Sequence, residues 1–142
     1  MAARRARVGP VVDTNVVAYY LLGTEPFADE ARIFWRSAAA TSAPSHWQAE
    51  LANVVWMAVR TGVLSPDEGH RRLDFASRLR VRSVPISTLW QSALATALQS
   101  GVAVYDTLFV ELARRQRSPL VTFDTRVLKA FPTIARRPSA AS

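Results

Sequence analysis

The 142-residue chain contains no cysteine, which excludes disulfides, zinc–thiolate sites and cysteine nucleophiles. Any metal it holds must rest on oxygen or on one of two histidines, His46 and His70, which lie far apart in sequence. Both fall in predicted helices, where packing at a helix start or on the surface accounts for them, so a ribonuclease mechanism built on a histidine pair is set aside. Long hydrophobic runs are also missing. The longest, VVAYYLL at 16–22, is well short of the ~18 residues that span a bilayer, and the first ten residues lack the apolar stretch of a secretory signal. A cytoplasmic protein with no membrane partner is expected.

Lysine is nearly absent: one against seventeen arginines, for a formal charge of +7. That balance suits a polyanion or an acidic protein as partner, because guanidinium pairs with phosphate or carboxylate through two hydrogen bonds. A composition bias toward arginine produces the same balance, so charge alone does not identify the partner. Arg114, Arg115 and Arg117 could meet an RNA backbone, but a charge run of this kind is ordinarily a solvated face. At 49% hydrophobic and 20% charged residues the composition is that of one folded domain with a single core.

The pattern along the chain alternates short strands with amphipathic helices. VGPVVD at 8–13 predicts a strand whose pairing begins near Val11, and VVAYYLL a helix. Thr24 is placed to cap a second helix carrying Phe27, Ala31, Phe34 and Trp35 on one side. TSA at 41–43 predicts a very short strand, and Pro44-Ser45 the start of a helix ending at Thr61-Gly62, with Trp47, Leu51, Val54, Val55 and Ala58 as its apolar stripe. SPDE at 65–68 has the form of a capping box opening a helix to about Arg80. A strand over 81–87, helices over 88–100 and 106–116 and a strand over 119–124 complete the pattern. Strands joined by ten- to fifteen-residue helices imply a mainly parallel sheet covered on both faces, with its ligand site at the carboxyl ends of the strands.

Scarcity makes the eleven acids informative. Asp13 ends the first strand in VVDTN and Asp124 follows the last in PLVTFD; Asp106 sits in the apolar run VYDTLFVELA with Phe109, Val110 and Ala113 on its own helical face. Glu50 lies on or beside the stripe of Trp47 and Val54. Each aspartate taken alone reads as a helix cap, and Glu50 as a carboxylate at the stripe's edge. Four acids directed to one edge of a sheet repel one another and call for a neutraliser. A hard divalent cation, Mg2+ or Mn2+, fits an oxygen-only donor set and suits phosphodiester hydrolysis.

VVDTNV, AELANVVW, VYDTLFVELA and PLVTFDTRVL, in that order, resemble the motifs of the PIN-domain nucleases, and among them the VapC-type ribonuclease toxins of toxin–antitoxin pairs. The resemblance covers about residues 8–134, between a basic arm at 1–7 and a flexible tail at 135–142. It implies a single three-layer α/β/α domain and makes Asp13, Glu50, Asp106 and Asp124 the catalytic metal-binding set, with Thr14, Asn15 and Thr122 supporting it. It further implies an RNA substrate cut to 5′-phosphate and 3′-hydroxyl ends, a homodimer, and a cognate antitoxin that neutralises the enzyme. Two rivals stand beside it: a non-catalytic RNA-binding module on the same fold, and a phosphatase with an aspartyl nucleophile. The second expects another aspartate two residues after the first, where this chain has Asn15.

Overall fold

The computed structural model describes residues 8–141, so the basic arm assigned to residues 1–7 lies outside the described residues. Five strands form one parallel sheet in the order β3-β2-β1-β4-β5: β1 Val11–Val12, β2 Thr41–Pro44, β3 Val81–Val84, β4 Leu120–Val121 and β5 Ala135–Arg136. Among the described residues seven α-helices surround it: α1 Thr14–Leu22, α2 Ala28–Ser37, α3 Trp47–Arg60, α4 Pro66–Ser77, α5 Trp90–Ser100, α6 Val104–Gln116 and α7 Thr125–Ala130. The expected α/β class and parallel sheet are observed.

The two residues of β1 point to opposite faces, as alternation along a strand requires. Val11 packs with Leu89, Ala93, Phe109 and Leu120 in the larger core, and Val12 with Val16, Ala31, Phe34 and Val121 in the smaller one. Gly9 admits the chain to this position, since a Cβ there would come within 1.5 Å of the Ala40 carbonyl oxygen. In the apolar runs at 16–22 and 51–59, Val16, Val17, Ala18, Leu21, Leu51, Val55 and Ala58 are buried. Among the tryptophans, Trp47 is buried while Trp56 and Trp90 are more than half exposed.

Several boundaries move, each for a local reason. Thr24 does not cap α2; its carbonyl accepts the Phe27 N–H in a turn, and α2 begins only at Ala28. Pro44 belongs to β2, its missing N–H being compatible with the strand's last position, and α3 starts at Trp47. The strand expected over 81–87 stops at Val84 before Pro85, a 3₁₀ turn at Ile86–Thr88 intervenes, and the next helix starts at Trp90. The capping box forms as read: the Glu68 N–H donates to Ser65 Oγ and the Ser65 N–H to Glu68 Oε1, both at 3.1 Å.

Ala135–Arg136, the first residues of the tail expected from the sequence, pair with β4 as the sheet's edge strand. Arg137 then anchors the residues beyond the strand. Its Nη2 donates to Glu30 Oε1 at 2.6 Å, the Ser139 N–H donates to Glu30 Oε2 at 3.1 Å, and the guanidinium lies over Phe123 at 5.0 Å and Phe27 at 5.8 Å. The Arg137 bond is the main reason the Glu30 carboxyl is held below its ordinary range. Because Arg137 is 41% exposed, solvent screens this pair, and Arg137→Ala is expected to cost only about 1 kcal/mol, read as a lowered melting temperature.

Among the described residues no single helix is long and apolar enough to cross a membrane. Helices α5 and α6 together have the length and composition, but they meet at 114° and α6 is largely core.

Candidate functional site

In a parallel sheet the connecting helices run back against the strands, so their first turns collect at the strands' carboxyl edge. Four such starts meet here. Asp13 precedes α1, Glu50 lies in the first turn of α3, Asp106 in the first turn of α6, and Asp124 precedes α7. All four carboxylates line one open cleft of about 250 Å³, together with Thr14, Asn15 and Tyr19. A larger cavity of about 460 Å³ between α1 and α4, lined by Tyr20, Arg71, Arg72 and Phe75 among others, brings together no comparable set of acids.

The cap reading of the aspartates separates in the structure. Asp124 does cap α7, its Oδ1 accepting from the N–H groups of Arg126 at 2.9 Å and Val127 at 3.3 Å. Asp13 occupies the cap position of α1 without a capping bond, and Asp106 has no acceptor role of that kind at α6. The Asp13 carboxylate turns instead to the residue that follows β4, where Thr122 Oγ1 donates to its Oδ2 at 2.8 Å. Thr122 is wholly buried, and its hydroxyl also accepts the Asp124 N–H at 3.0 Å. One hydroxyl therefore ties two of the acids together.

Asn15 spans the same gap. Its Oδ1 accepts the Phe123 N–H at 3.2 Å, and its Nδ2 lies 3.4 Å from Thr122 Oγ1 and 3.5 Å from Asp13 Oδ2, both long contacts. Thr14 Oγ1 donates to Glu50 Oε1 at 2.7 Å, linking α1 to α3. Thus all three polar residues singled out in the sequence contact an acid of the cleft.

Burial raises the Asp13 carboxyl to about 7, with the charges of Asp106 and Glu50 adding to the effect and the Thr122 bond opposing it. Burial also raises Asp106, reinforced by Asp124 and Glu50 and partly offset by Arg126 and His46. Both shifts express like charges held together in partial isolation from water, a condition that a cation between them relieves.

Among the described residues, however, no three carboxylate or imidazole groups converge closely enough to grip an ion directly. The donor set is all oxygen and the cleft is open, so the residues fit a hard ion that keeps several waters in its shell rather than an all-protein cage.

Two residues near the acids were not assigned to the site from the sequence, where His46 was set aside. His46 Nε2 lies 3.0 Å from the Tyr105 carbonyl oxygen and 3.6 Å from Glu50 Oε1, while its Nδ1 is buried without a partner. Arg126 donates from Nη2 to the Gly101 carbonyl at 3.2 Å. The Tyr105 partner of His46 and the Gly101 partner of Arg126 lie 59 and 25 residues away, so no local pattern signals those two contacts, whereas the approach of His46 to Glu50 is an i, i+4 pair present in the sequence.

Fold and site define an open parallel α/β domain with an acidic cleft beyond its strand ends. The PIN domain family profile matches residues 11–133, and the chain belongs to that family. It is 35% identical over 89 residues to Ribonuclease VapC3 of Pyrobaculum aerophilum, a match covering 60% of this chain and 66% of that protein, just under two thirds. Two solved structures share the fold. A toxin–antitoxin complex from Klebsiella pneumoniae superposes with a TM-score of 0.65 at 17% identity, covering 92% of this chain and 98% of its own. VapBC2 from Rickettsia felis bound to a DNA fragment from their promoter gives 0.63 at 16% identity, with 89% and 96% covered.

Proposed function

We propose that the chain is a divalent-metal-dependent endoribonuclease toxin of the VapC type, with Asp13, Glu50, Asp106 and Asp124 as its catalytic metal-binding set. The observation that carries this reading is the convergence of all four acids on one cleft at the carboxyl edge of the sheet. The VapC3 relative supports the ribonuclease assignment, and the toxin–antitoxin neighbours support a cognate antitoxin.

A bound Mg2+ or Mn2+ supplies the Lewis acidity that activates water and stabilises charge on the phosphoryl group. The chain's residues set up that chemistry. Thr122 spends its only hydroxyl hydrogen on Asp13 Oδ2, which orients the other oxygen, and Thr14 does the same for Glu50. Asp124 gives Oδ1 to its helix and keeps Oδ2 for the cleft. The buried walls beneath Asp13 strengthen each of these interactions by excluding water.

An antitoxin that extends an arginine into this cleft would compete with metal and substrate without distorting the fold. The reading also carries a homodimer and a cytoplasmic setting. The rival is an RNA-binding module without catalysis on the same fold.

End analysis of cut RNA tests the proposal: metal-dependent fragments with 5′-phosphate and 3′-hydroxyl ends are expected. Ends bearing a 2′,3′-cyclic phosphate would instead assign the chemistry to the ribose hydroxyl. A second expectation concerns Thr122→Val, which keeps the side-chain shape but loses the donor to Asp13 and the acceptor for the Asp124 N–H. Metal affinity and cleavage should fall roughly 10- to 100-fold, with Thr122→Ser restoring both. Titration with Mn2+ alongside the cleavage assay checks it.

A further inference from the structure

We infer that Arg126 is a substrate-binding residue of this site, holding a phosphate of a single-stranded RNA backbone beside the acidic cleft. The inference rests on the ribonuclease reading and adds the group that lets an anionic substrate approach four acids. Among the described residues no lysine or arginine lines the cleft. A phosphodiester entering it meets repulsion before it meets anything favourable, and a cation at the rim offsets that cost.

Arg126 is placed for the task. It is exposed, follows Asp124 by two residues, and its backbone N–H donates to Asp124 Oδ1 at 2.9 Å, which sets the side chain beside the cleft. Yet among the described residues it forms no ion pair with any carboxylate, because its side chain is drawn away to the Gly101 carbonyl. A guanidinium has five N–H donors, and that bond uses one of them. The remaining donors are available to a planar anionic group, and the carboxylates stay free of it.

Local structure does not account for an arginine at this position. The first turn of a helix disfavours a cation. The one structural role open to Arg126 is to satisfy a carbonyl at the end of α5, where Gly101 already terminates the helix in the left-handed conformation at φ 72°. That role and phosphate binding make different predictions.

The test measures binding of a labelled single-stranded RNA of mixed sequence by fluorescence anisotropy, over a range of salt concentrations. The chain carries Asp106→Asn throughout so that no cleavage occurs. Adding Arg126→Gln is expected to weaken binding about tenfold, as for loss of a charge-assisted bidentate contact. It should also reduce the slope of log affinity against log salt by about 0.7, the loss of one phosphate contact on a single strand. Arg126→Lys keeps the charge, so it should hold the slope and lose only a few-fold in affinity.

Unchanged affinity and slope for the glutamine variant, with a lowered melting temperature, would reduce Arg126 to a cap of α5 and overturn the inference. A lysine variant as weak as the glutamine variant would contradict a contact through charge. If the chain with Arg126 intact binds no RNA at all, the ribonuclease reading falls and this contact with it, whereas intact binding with an unmoved slope removes the contact alone.

Discussion

Asp106→Asn is expected to fold normally and to lose more than about 100-fold of its metal-dependent RNA cleavage, beyond the usual cost of losing a supporting partner. The side chain sits in the first turn of α6, and Phe109, Val110 and Ala113 fix that helix in the core at 1% exposure or less. Asparagine has the same shape and leaves that packing untouched. What it removes is a negative charge which burial and the neighbouring Asp124 and Glu50 already make costly. The metal-free variant should therefore melt no lower than the parent chain while failing to cut. Circular dichroism and thermal melting establish the fold, and initial rates on RNA in Mn2+ establish the loss. A variant that cuts at full rate would remove Asp106 from the metal-binding set.

The second large effect concerns Asp13 and pH. Its folded-state value of about 7 lies well above the ordinary 3.8, so between these values the folded chain holds a proton that the unfolded chain releases. Stability contributed by this group is thus fully present below about pH 4, declines as pH rises toward 7, and stays lost above. At 1.36 kcal/mol per unit the full penalty is of order 4 kcal/mol, an upper figure because open clefts admit water.

Asp13→Asn abolishes this titration and keeps an oxygen for the Thr122 hydroxyl. The metal-free variant should melt higher than the parent at pH 8 and about equally at pH 4, where chemical denaturation or thermal scans give the comparison. Adding Mn2+ at pH 8 should stabilise the parent and leave the variant nearly unmoved. Equal melting curves at every pH would show that Asp13 is not under electrostatic stress. The group most costly to the fold is on this account the one most useful to the site.

Parallel topology was legible because it depends on a repeating pattern of short apolar runs and amphipathic helices. The acids were legible for a related reason: a carboxylate at the end of a strand, or in the first turn of a buried helix, departs from its surroundings. Asp106 inside VYDTLFVELA is the clearest case. Thr122 was expected to support the acids, but its burial and the bonding of its one hydroxyl to both Asp13 and Asp124 were not readable from the sequence.

What escaped was decided by contacts between distant segments. Strand β5 is two residues long, and its pairing comes from β4 rather than from any alternation of its own. The six-residue helix α7 is too short to show a period, and its start is marked only by the cap that Asp124 provides. Arg126 is an ordinary residue type in sequence and meets Gly101 only when the end of α5 is packed beside it, and the contact of His46 with the Tyr105 carbonyl likewise needs α6.

The central claim is that the four-acid cleft cuts RNA by means of a divalent cation. Purified chain, free of any antitoxin, incubated with total cellular RNA in Mg2+ or Mn2+ and then with excess chelator, tests it most directly. Discrete fragments that appear with metal, stop with chelator and return on readdition are the predicted result. Cleavage that continues undiminished in chelator would contradict a metal-dependent site and with it the role assigned to Asp13, Glu50, Asp106 and Asp124.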